Sequence, residues 1–114
     1  MATLWHSRAQ QLLALRERAE MGGGARRMEK QKAAGKLSAR ERLELLFDAG
    51  TFVEVGELVE SRINDFGMDA RRVPGDGVVT GFGKIGGMTA CASSEDFTVI
   101  GGTLGEYHSK KICH

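Results

Sequence analysis

The spacing of apolar residues divides the chain into a helical first part and a β-rich second part. Residues 4–20 repeat apolar side chains at a spacing close to 3.6, which predicts an amphipathic helix that the glycines at 22–24 end. A second, polar helical stretch covers residues 25–34 and stops at Gly35, which suits a left-handed C-terminal position. The apolar positions of the first stretch are Leu4, Trp5, Leu12, Leu13, Leu15 and Ala19.

The segment LSARERLELLFDAG, residues 37–50, gives the best local helix signal. Ser38 can accept from the backbone N–H of Glu41 while the Glu41 side chain reaches back to Ser38, which predicts a capping box. Gly50 is expected to stop this helix. Its apolar stripe is predicted to contain Leu43, Leu46 and Phe47.

Patterns typical of strands follow. FVEVGELV, residues 52–59, alternates apolar and polar side chains and predicts a half-buried strand. Residues 78–93 contain two apolar runs joined by a Gly-Gly link, which predicts a hairpin with a type I′ turn. FTVIGG, residues 97–102, is expected to be a short strand or a strand-like loop, and residues 104–114 the start of a helix.

The order of these elements sets the expected fold class. Helices come first, then a sheet, then the beginning of a strand-to-helix crossover, which indicates an α/β protein, or α+β at this length. A chain of 114 residues is about one small domain. We expect residues 1–24 to form an N-terminal helix and glycine linker, and residues 25–114 the N-terminal part of a truncated domain.

The uneven distribution of charge limits which classes of partner are expected. The formal net charge is only +1, but residues 26–42 carry seven basic side chains against two acidic ones. A polyanion would bind to these basic residues, although a helical face exposed to solvent explains the same charges. The run has no interleaved aromatic residues for stacking on bases, so nucleic acid is not expected. No apolar stretch is long enough for a membrane span or a secretion signal, and two cysteines form no disulfide framework, so a cytoplasmic protein is expected.

Short motifs assign neither a catalytic residue nor a metal ligand. GFGKIG, residues 81–86, matches the dinucleotide pattern GxGxxG, but a return strand follows where that pattern needs a helix, so a hairpin is preferred. His108, Cys113 and His114 lack the spacing of a zinc site. We expect them to be surface residues on the last helix.

Several segments together resemble one known family. GGGARRMEKQKAAGKLSARERLELLFDAGTFVEVG, DFGM, PGDGVVTGFGKIGG and SSEDFTVIGGTLGEYHSKKIC stand in an order and spacing similar to those in the N-terminal part of biotin-dependent acyl-CoA carboxylase carboxyltransferase (β) subunits. The propionyl-CoA carboxylase β chains are closest in pattern. The resemblance covers nearly the whole chain from about Gly22 onward.

The resemblance implies a crotonase-like fold and a specific reaction. Subunits of this family transfer a carboxyl group from carboxybiotin to the α-carbon of an acyl-CoA such as propionyl-CoA. The biotin is carried by a partner, a biotin carboxylase or biotin carrier subunit or domain, and none is bound covalently here. Family members are several times longer, so the expectation is an incomplete fold that is inactive alone and that depends on a partner or on self-association. A eukaryotic version would belong in the mitochondrial matrix, although no transit peptide is evident.

The resemblance also suggests which residues contact CoA. Lys36 and Arg40 lie in the family motif GKLSARER and would act by charge, and Gly101 and Gly102 would act by close backbone approach. Two alternatives stay open. The chain could be a non-catalytic subunit-interaction module, or it could belong to a subunit that decarboxylates a malonyl-type thioester.

Overall fold

Four helices and three strands make up the fold within the part of the chain that the structure describes. The computed structural model describes residues 2–114. The elements are α1 (Ala2–Glu20), α2 (Ala25–Ala33), α3 (Ala39–Leu46), β1 (Val53–Val55), β2 (Val78–Ile85), β3 (Met88–Glu95) and α4 (Glu106–Cys113). Short 3₁₀ segments cover Asp65–Arg71 and Ile100–Gly102. A three-stranded antiparallel sheet with helices packed against it agrees with the predicted α/β class.

The sheet is built around the predicted hairpin. Its strand order is β1-β2-β3, with Ile85 opposite Met88 at the closed end. Gly86 and Gly87 have φ of 57° and 80°, so both adopt the left-handed conformation that a type I′ turn needs. Asp48 accepts hydrogen bonds from their backbone N–H groups at 3.0 and 2.9 Å. The hairpin prediction is confirmed, and GFGKIG lies within it rather than in a nucleotide-binding turn.

The strand expected over residues 52–59 is shorter than predicted, and its apolar residues are more exposed than its charged one. β1 covers only Val53–Val55, and Gly56 follows with φ of 72°. The two valines are 49% and 40% exposed, whereas Glu54 is partly buried. More exposed and more buried positions therefore alternate as predicted, but the more buried position holds a charged residue. Glu54 can be buried there because it pairs with Arg40.

Of the two forms expected for residues 97–102, a short strand or a strand-like loop, the strand is absent. Residues 97–99 form a turn and Ile100–Gly102 a 3₁₀ segment, with φ of 62° at Gly101 and 76° at Gly102. Residues that take left-handed conformations in succession cannot continue a ladder. The last helix is confirmed, but it begins at Glu106 and is reached through a turn instead of a strand.

The apolar core lies between α3 and one face of the sheet. Leu43 and Phe47 are buried there with Val79, and the Phe47 ring stacks on Phe52 with centroids 5.3 Å apart. A Cβ atom at Gly83 would lie 2.8 Å from the Phe47 ring, so only glycine lets the helix approach this closely. Leu46, the third residue of the predicted stripe, is 48% exposed and lies outside the core.

The predicted capping box of α3 is confirmed. The backbone N–H of Glu41 donates to Ser38 Oγ at 3.1 Å, and the backbone N–H of Ser38 donates to the Glu41 carboxylate at 2.7 Å. Backbone donors at the start of the helix are thereby satisfied within the chain. This box fixes where α3 begins and hence which of its faces meets the sheet.

Helix α1 forms as predicted, but its apolar side is mostly uncovered. Of its six predicted apolar positions only Ala19 is buried, and Trp5 is 66% exposed. The last turns of the helix touch the rest of the chain: Arg16 pairs with Glu57 at 3.3 Å. No helix among residues 2–114 combines the length and apolar character needed to cross a membrane.

The glycines after α1 pack directly on the turn that follows β3. The backbone N–H of Gly23 donates to Thr98 Oγ1 at 2.9 Å, and Arg27 donates to the Thr98 carbonyl at 3.1 Å. A Cβ atom at Gly23 would lie 1.8 Å from the Thr98 carbonyl oxygen, and one at Gly22 would lie 2.2 Å from a carboxylate oxygen of Asp96. The glycine run therefore serves close packing as well as ending a helix. The expected division at residue 24 stays a prediction.

Arg40 joins α3 to β1. Its guanidinium donates through both terminal nitrogens to the Glu54 carboxylate, and the two side chains are only 23% and 12% exposed. Burial alone lowers the pKa of Arg40, but the hydrogen bond and charge of Glu54 outweigh it, and the pKa is raised overall. The pair explains why a carboxylate occupies the inner position of β1.

Replacing Gly23 by alanine should destabilise the fold. The added methyl group overlaps the Thr98 carbonyl, so the segment must move and lose its hydrogen bond, at a cost of about 1–3 kcal/mol. Urea unfolding of the 114-residue chain measures this. Gly105→Ala is the matched control, because its nearest neighbour is 3.9 Å away. Equal stability of the two variants would contradict the close packing.

Arg40→Met should also destabilise the chain, whereas Lys36→Met should not. Removing Arg40 leaves the largely buried Glu54 carboxylate without its cation, which costs about 1–3 kcal/mol after allowing for residual solvent. Lys36 is exposed, and its replacement should change stability by less than about 0.5 kcal/mol. Urea unfolding compares the variants. Glu54→Met combined with Arg40→Met should recover part of the loss, and a larger loss in the double variant would argue against the pair.

Candidate functional site

A basic groove lies between α2, the loop before α3, α3 itself and the turn after β3. Its volume is about 670 Å³. Four cationic side chains line it, and its lining, all within residues 2–114, includes no acidic residue. The cations are Arg27, Lys30, Lys36 and Arg42. The groove therefore offers a concentrated positive potential to an anion.

Local structure places each of these cations. Arg27 and Lys30 are three residues apart on α2, so they share one face of that helix. Lys36 follows Gly35, whose φ of 76° turns the chain back toward α3. Arg42 on α3 donates to the backbone carbonyl of Glu95 at the end of β3. The basic run thus folds into a concave surface instead of one exposed helical face.

An aromatic ring and a hydroxyl residue complete the groove. Phe97 lines it and is 64% exposed, and Thr98 lines it from a buried position. The Thr98 carbonyl accepts from Arg27, which fixes that guanidinium. No ion pair of the described residues includes Lys30 or Lys36, so their charges are not neutralised within this part of the chain.

The structure brings together some of the residues predicted to contact CoA. Lys36 lines the groove. Gly102 packs against the Phe97 ring, since a Cβ atom there would lie 3.3 Å from it, and Gly101 precedes it with open space around its Cα. Arg40 is not among the residues that line the groove, and its guanidinium is engaged by Glu54. The role of all four in binding stays a prediction.

The N-terminus of α3 is occupied by the chain's own groups. Glu41 completes the capping box, and its carboxylate also pairs with Lys32 at 3.0 Å. The backbone N–H of Ser38 and the Lys32 ammonium lower the pKa of Glu41, so the carboxylate stays charged. Anion binding by the backbone N–H groups at the start of this helix is therefore opposed by an acidic side chain already there.

Phe97 and Thr98 were missed as site residues by sequence reasoning. They lie far along the chain from the basic run and come next to it through tertiary packing, including that of Gly22 and Gly23 and the hydrogen bond from Arg27. The only available signal was their place in the segment SSEDFTVIGG, which carries part of the family resemblance. Nothing in that segment's composition marks an aromatic residue as exposed.

His108 is not the surface residue that the sequence suggested. It is 1% exposed, and its Nδ1 lies 2.9 Å from the backbone carbonyl oxygen of Asp76. A carbonyl only accepts, so Nδ1 carries the proton, while Nε2 has no hydrogen-bond partner and lies 3.8 Å from Glu95. Cys113 and His114 are exposed as expected. Residues 2–114 contain no group of three side chains placed to hold a metal ion.

A second cleft, of about 730 Å³, lies between α4 and the other face of the sheet. Its walls are largely apolar, including Val55, Phe82 and Ile112. The two lysines in its lining are already engaged: Lys110 pairs with Glu106 at 2.9 Å, and Lys111 donates to backbone carbonyls. This cleft therefore lacks free charge for recognising an anion, and the basic groove is the stronger candidate site.

The groove is suited to binding rather than to bond making. Cationic side chains hold phosphate groups, and an exposed phenyl ring stacks with a planar heterocycle. No side chain lining the groove, within the described residues, pairs a nucleophile with a general base. The arrangement therefore fits a phosphorylated ligand with an aromatic base.

Most of the chain, including part of this groove, matches a known protein family. Residues 30–114 match the carboxyl transferase domain. The chain is 53% identical over 104 residues to the methylmalonyl-CoA decarboxylase subunit alpha of Propionigenium modestum, covering 91% of this chain and 20% of that protein. It is 55% identical over 95 residues to the propionyl-CoA carboxylase beta chain of Cereibacter sphaeroides, covering 83% and 19%.

A solved structure shows the same fold. A transcarboxylase 12S structure with methylmalonyl-coenzyme A and methylmalonic acid bound superposes with a TM-score of 0.88 at 50% identity, covering 94% of this chain and 21% of that one. The chain thus spans about 20% of the length of the curated relatives it matches. The match over residues 30–114 covers most of the sequence. The chain belongs to the carboxyl transferase domain family.

Proposed function

We propose that this chain is part of an acyl-CoA carboxyltransferase subunit and that its basic groove binds the nucleotide part of CoA. The observation that carries the proposal is the groove itself, which four cations and one exposed aromatic ring line. CoA presents a pyrophosphate, a 3′-phosphate and an adenine ring. The phosphates match the cations by charge, and the adenine matches the Phe97 ring by stacking.

Lys36, like Lys30, is a groove cation that is available to a phosphate. It is exposed and belongs to no ion pair of the described residues, whereas Arg27 and Arg42 already donate to backbone carbonyls. Gly101 and Gly102 support the site by letting the chain turn tightly beneath Phe97. Arg40 contributes to the same site by holding α3 on β1 through Glu54.

The proposed reaction is carboxyl transfer between carboxybiotin on a partner and the α-carbon of an acyl-CoA. The groove residues do not fit biotin, because its ureido ring is uncharged and has no group that needs four cations. We therefore derive no step through biotin from these residues. Relatives named as decarboxylase and as carboxylase subunits match the chain comparably, so either direction of the chemistry is consistent with the groove.

The proposed complete fold is crotonase-like, with this chain supplying its first helices and hairpin. The apolar cleft between α4 and the sheet supports this, since Val55 and Phe82 on that sheet face are 40% and 42% exposed. Further strands or a partner subunit would cover such a face. A chain with this surface uncovered is expected to associate or to need a partner.

Calorimetry with CoA tests the proposed function. CoA should bind the 114-residue chain, and Lys36→Ala should weaken binding roughly fivefold, the equivalent of about 1 kcal/mol for one exposed charge pair. Affinity should fall as salt is raised, because the cations are exposed. Lys84→Ala is the matched control, since Lys84 is an exposed lysine outside the groove and should leave affinity unchanged.

Ligand analogues separate the two parts of the groove. Dephospho-CoA, which lacks the 3′-phosphate, should bind more weakly than CoA to the unchanged chain. Phe97→Ala should weaken both ligands alike, because both retain the adenine. Equal affinity of the Lys36 and Lys84 variants, or no CoA binding at any salt concentration, would remove the groove from the proposal.

A second function is favoured by α1. Trp5, Leu13 and other large apolar side chains of this helix are exposed, which is typical of a surface that binds another subunit. A non-catalytic subunit-interaction module would use this surface and would show no CoA binding. Recovery of a biotin carboxylase or biotin carrier subunit with the chain, in the absence of calorimetric CoA binding, would favour this function over the first.

A further inference from the structure

The turn that follows β3 exposes one ring between two buried side chains. Phe97 is 64% exposed, whereas its neighbours Asp96 and Thr98 are 8% and 5% exposed. Phe97 and Thr98 line the basic groove, but the groove lining described for residues 2–114 does not include Asp96. Buried polar groups need hydrogen-bond partners, so the bonds of Asp96 and Thr98 show what holds this turn in place.

The Asp96 carboxylate closes the turn from its buried side. Its Oδ1 accepts one hydrogen bond from the backbone N–H of Thr98 at 2.9 Å and another from the Thr98 hydroxyl at 2.6 Å. A carboxylate bonded to the backbone two residues later forms an Asx turn, which limits the conformation of the residue between them. Here that residue is Phe97, so the carboxylate determines where the phenyl ring points.

The Thr98 hydroxyl extends this bonding to the glycines after α1. The hydroxyl has one proton, which it donates to Asp96, so its oxygen accepts from the backbone N–H of Gly23 at 2.9 Å. A carboxylate oxygen of Asp96 also packs on Gly22, where a Cβ atom would lie 2.2 Å from it. Asp96 therefore fixes the chain that leads into α2 as well as the turn.

The two ends of the turn hold two of the four groove cations. Arg42 from α3 donates to the backbone carbonyl of Glu95, and Arg27 from α2 donates to the backbone carbonyl of Thr98 at 3.1 Å. Phe97 lies between these two acceptors in the sequence. One segment of four residues thus places both guanidinium groups and the aromatic ring of the groove.

Asp96 does not pair directly with a groove cation. No ion pair of the described residues includes its carboxylate. A carboxylate inside the groove would repel an anionic ligand, whereas this one lies outside the lining and leaves the groove cations without a competing charge. Asp96 therefore acts on the groove through the geometry of Thr98.

We propose that Asp96 is a positioning residue of the basic groove, which holds the Phe97 ring and the Arg27 guanidinium in the orientation that a phosphorylated, base-containing ligand needs. The proposal rests on the CoA-binding function proposed above. Without the carboxylate, the backbone N–H and hydroxyl of Thr98 lose their acceptor, and the carbonyl that holds Arg27 is no longer fixed. A ligand must then order both side chains when it binds, which weakens its affinity.

NMR of the ligand-free chain tests the positioning without any ligand. In Asp96→Ala, the guanidinium N–H protons of Arg27 should exchange with solvent roughly tenfold faster than in the parent chain. Asp96→Asn keeps an oxygen acceptor and should recover most of the protection. Asp48→Ala is the matched control, because Asp48 also accepts from backbone N–H groups in a turn but lies outside the groove. Unchanged exchange of the Arg27 protons in Asp96→Ala would overturn the proposal.

Calorimetry with CoA tests the effect on binding. Asp96→Ala should lower the affinity of the 114-residue chain roughly tenfold, and Asp96→Asn should recover most of it, whereas Asp48→Ala should leave it unchanged. Asp96→Ala should cause little further loss in a chain that already carries Arg27→Ala and Phe97→Ala, because it acts through these two side chains. A general loss of stability would instead add to the effect of those substitutions. Urea unfolding confirms that each variant is folded.

The outcomes separate this proposal from the proposed function. If the parent chain does not bind CoA but Asp96→Ala still releases Arg27, the CoA function fails and the positioning role stands. If the parent chain binds CoA and Asp96→Ala binds it equally well, or its effect is additive with the other two substitutions, the positioning role fails. Should Asp96→Ala not fold, Thr98→Val, which lacks the hydroxyl, should bind CoA more weakly than Thr98→Ser, which keeps it. Equal affinity of these two variants would then overturn the proposal.

Discussion

The turn that leads into β2 accepts hydrogen bonds at four successive backbone carbonyls, and the last helix and the end of β3 depend on it. Lys111 donates to the first and fourth of these carbonyls, His108 binds the second, and the backbone N–H of Asp96 donates to the third at 2.8 Å. The four accepting residues are Gly75, Asp76, Gly77 and Val78. Buried carbonyls need donors, so this turn fixes which side chains α4 must bury.

Elements that depend on neighbouring residues could be predicted from the sequence. The Gly86-Gly87 hairpin and the Ser38 capping box each follow from residues only a few positions apart, and both are present. The inner face of β1 could not be predicted, because Glu54 is buried there by Arg40 from another element. The apolar character of residues 97–102 predicted a short strand or a strand-like loop, although the two glycines of this segment take left-handed conformations.

Part of the candidate site could likewise be predicted from the sequence, and part could not. The basic run that supplies Lys36 was visible as a cluster of charge, whereas Phe97 joins it only through tertiary packing. Arg40 belongs to the same run, but it is turned toward β1 by its carboxylate partner. His108 gave no sign of burial, since the carbonyl it binds lies 32 residues earlier. Charge could thus be located from the sequence, but not the direction in which each charge points.

The hydrogen bond between Gly23 and Thr98 spans 75 residues. Bringing such distant positions together has a larger entropic cost than closing the two-residue hairpin, so the wall of the basic groove should form late in folding. Early intermediates would then contain the hairpin and α3 without a complete groove. An anion that contacts both walls would hold the two ends of this long loop together, and its binding would favour the finished structure over those intermediates.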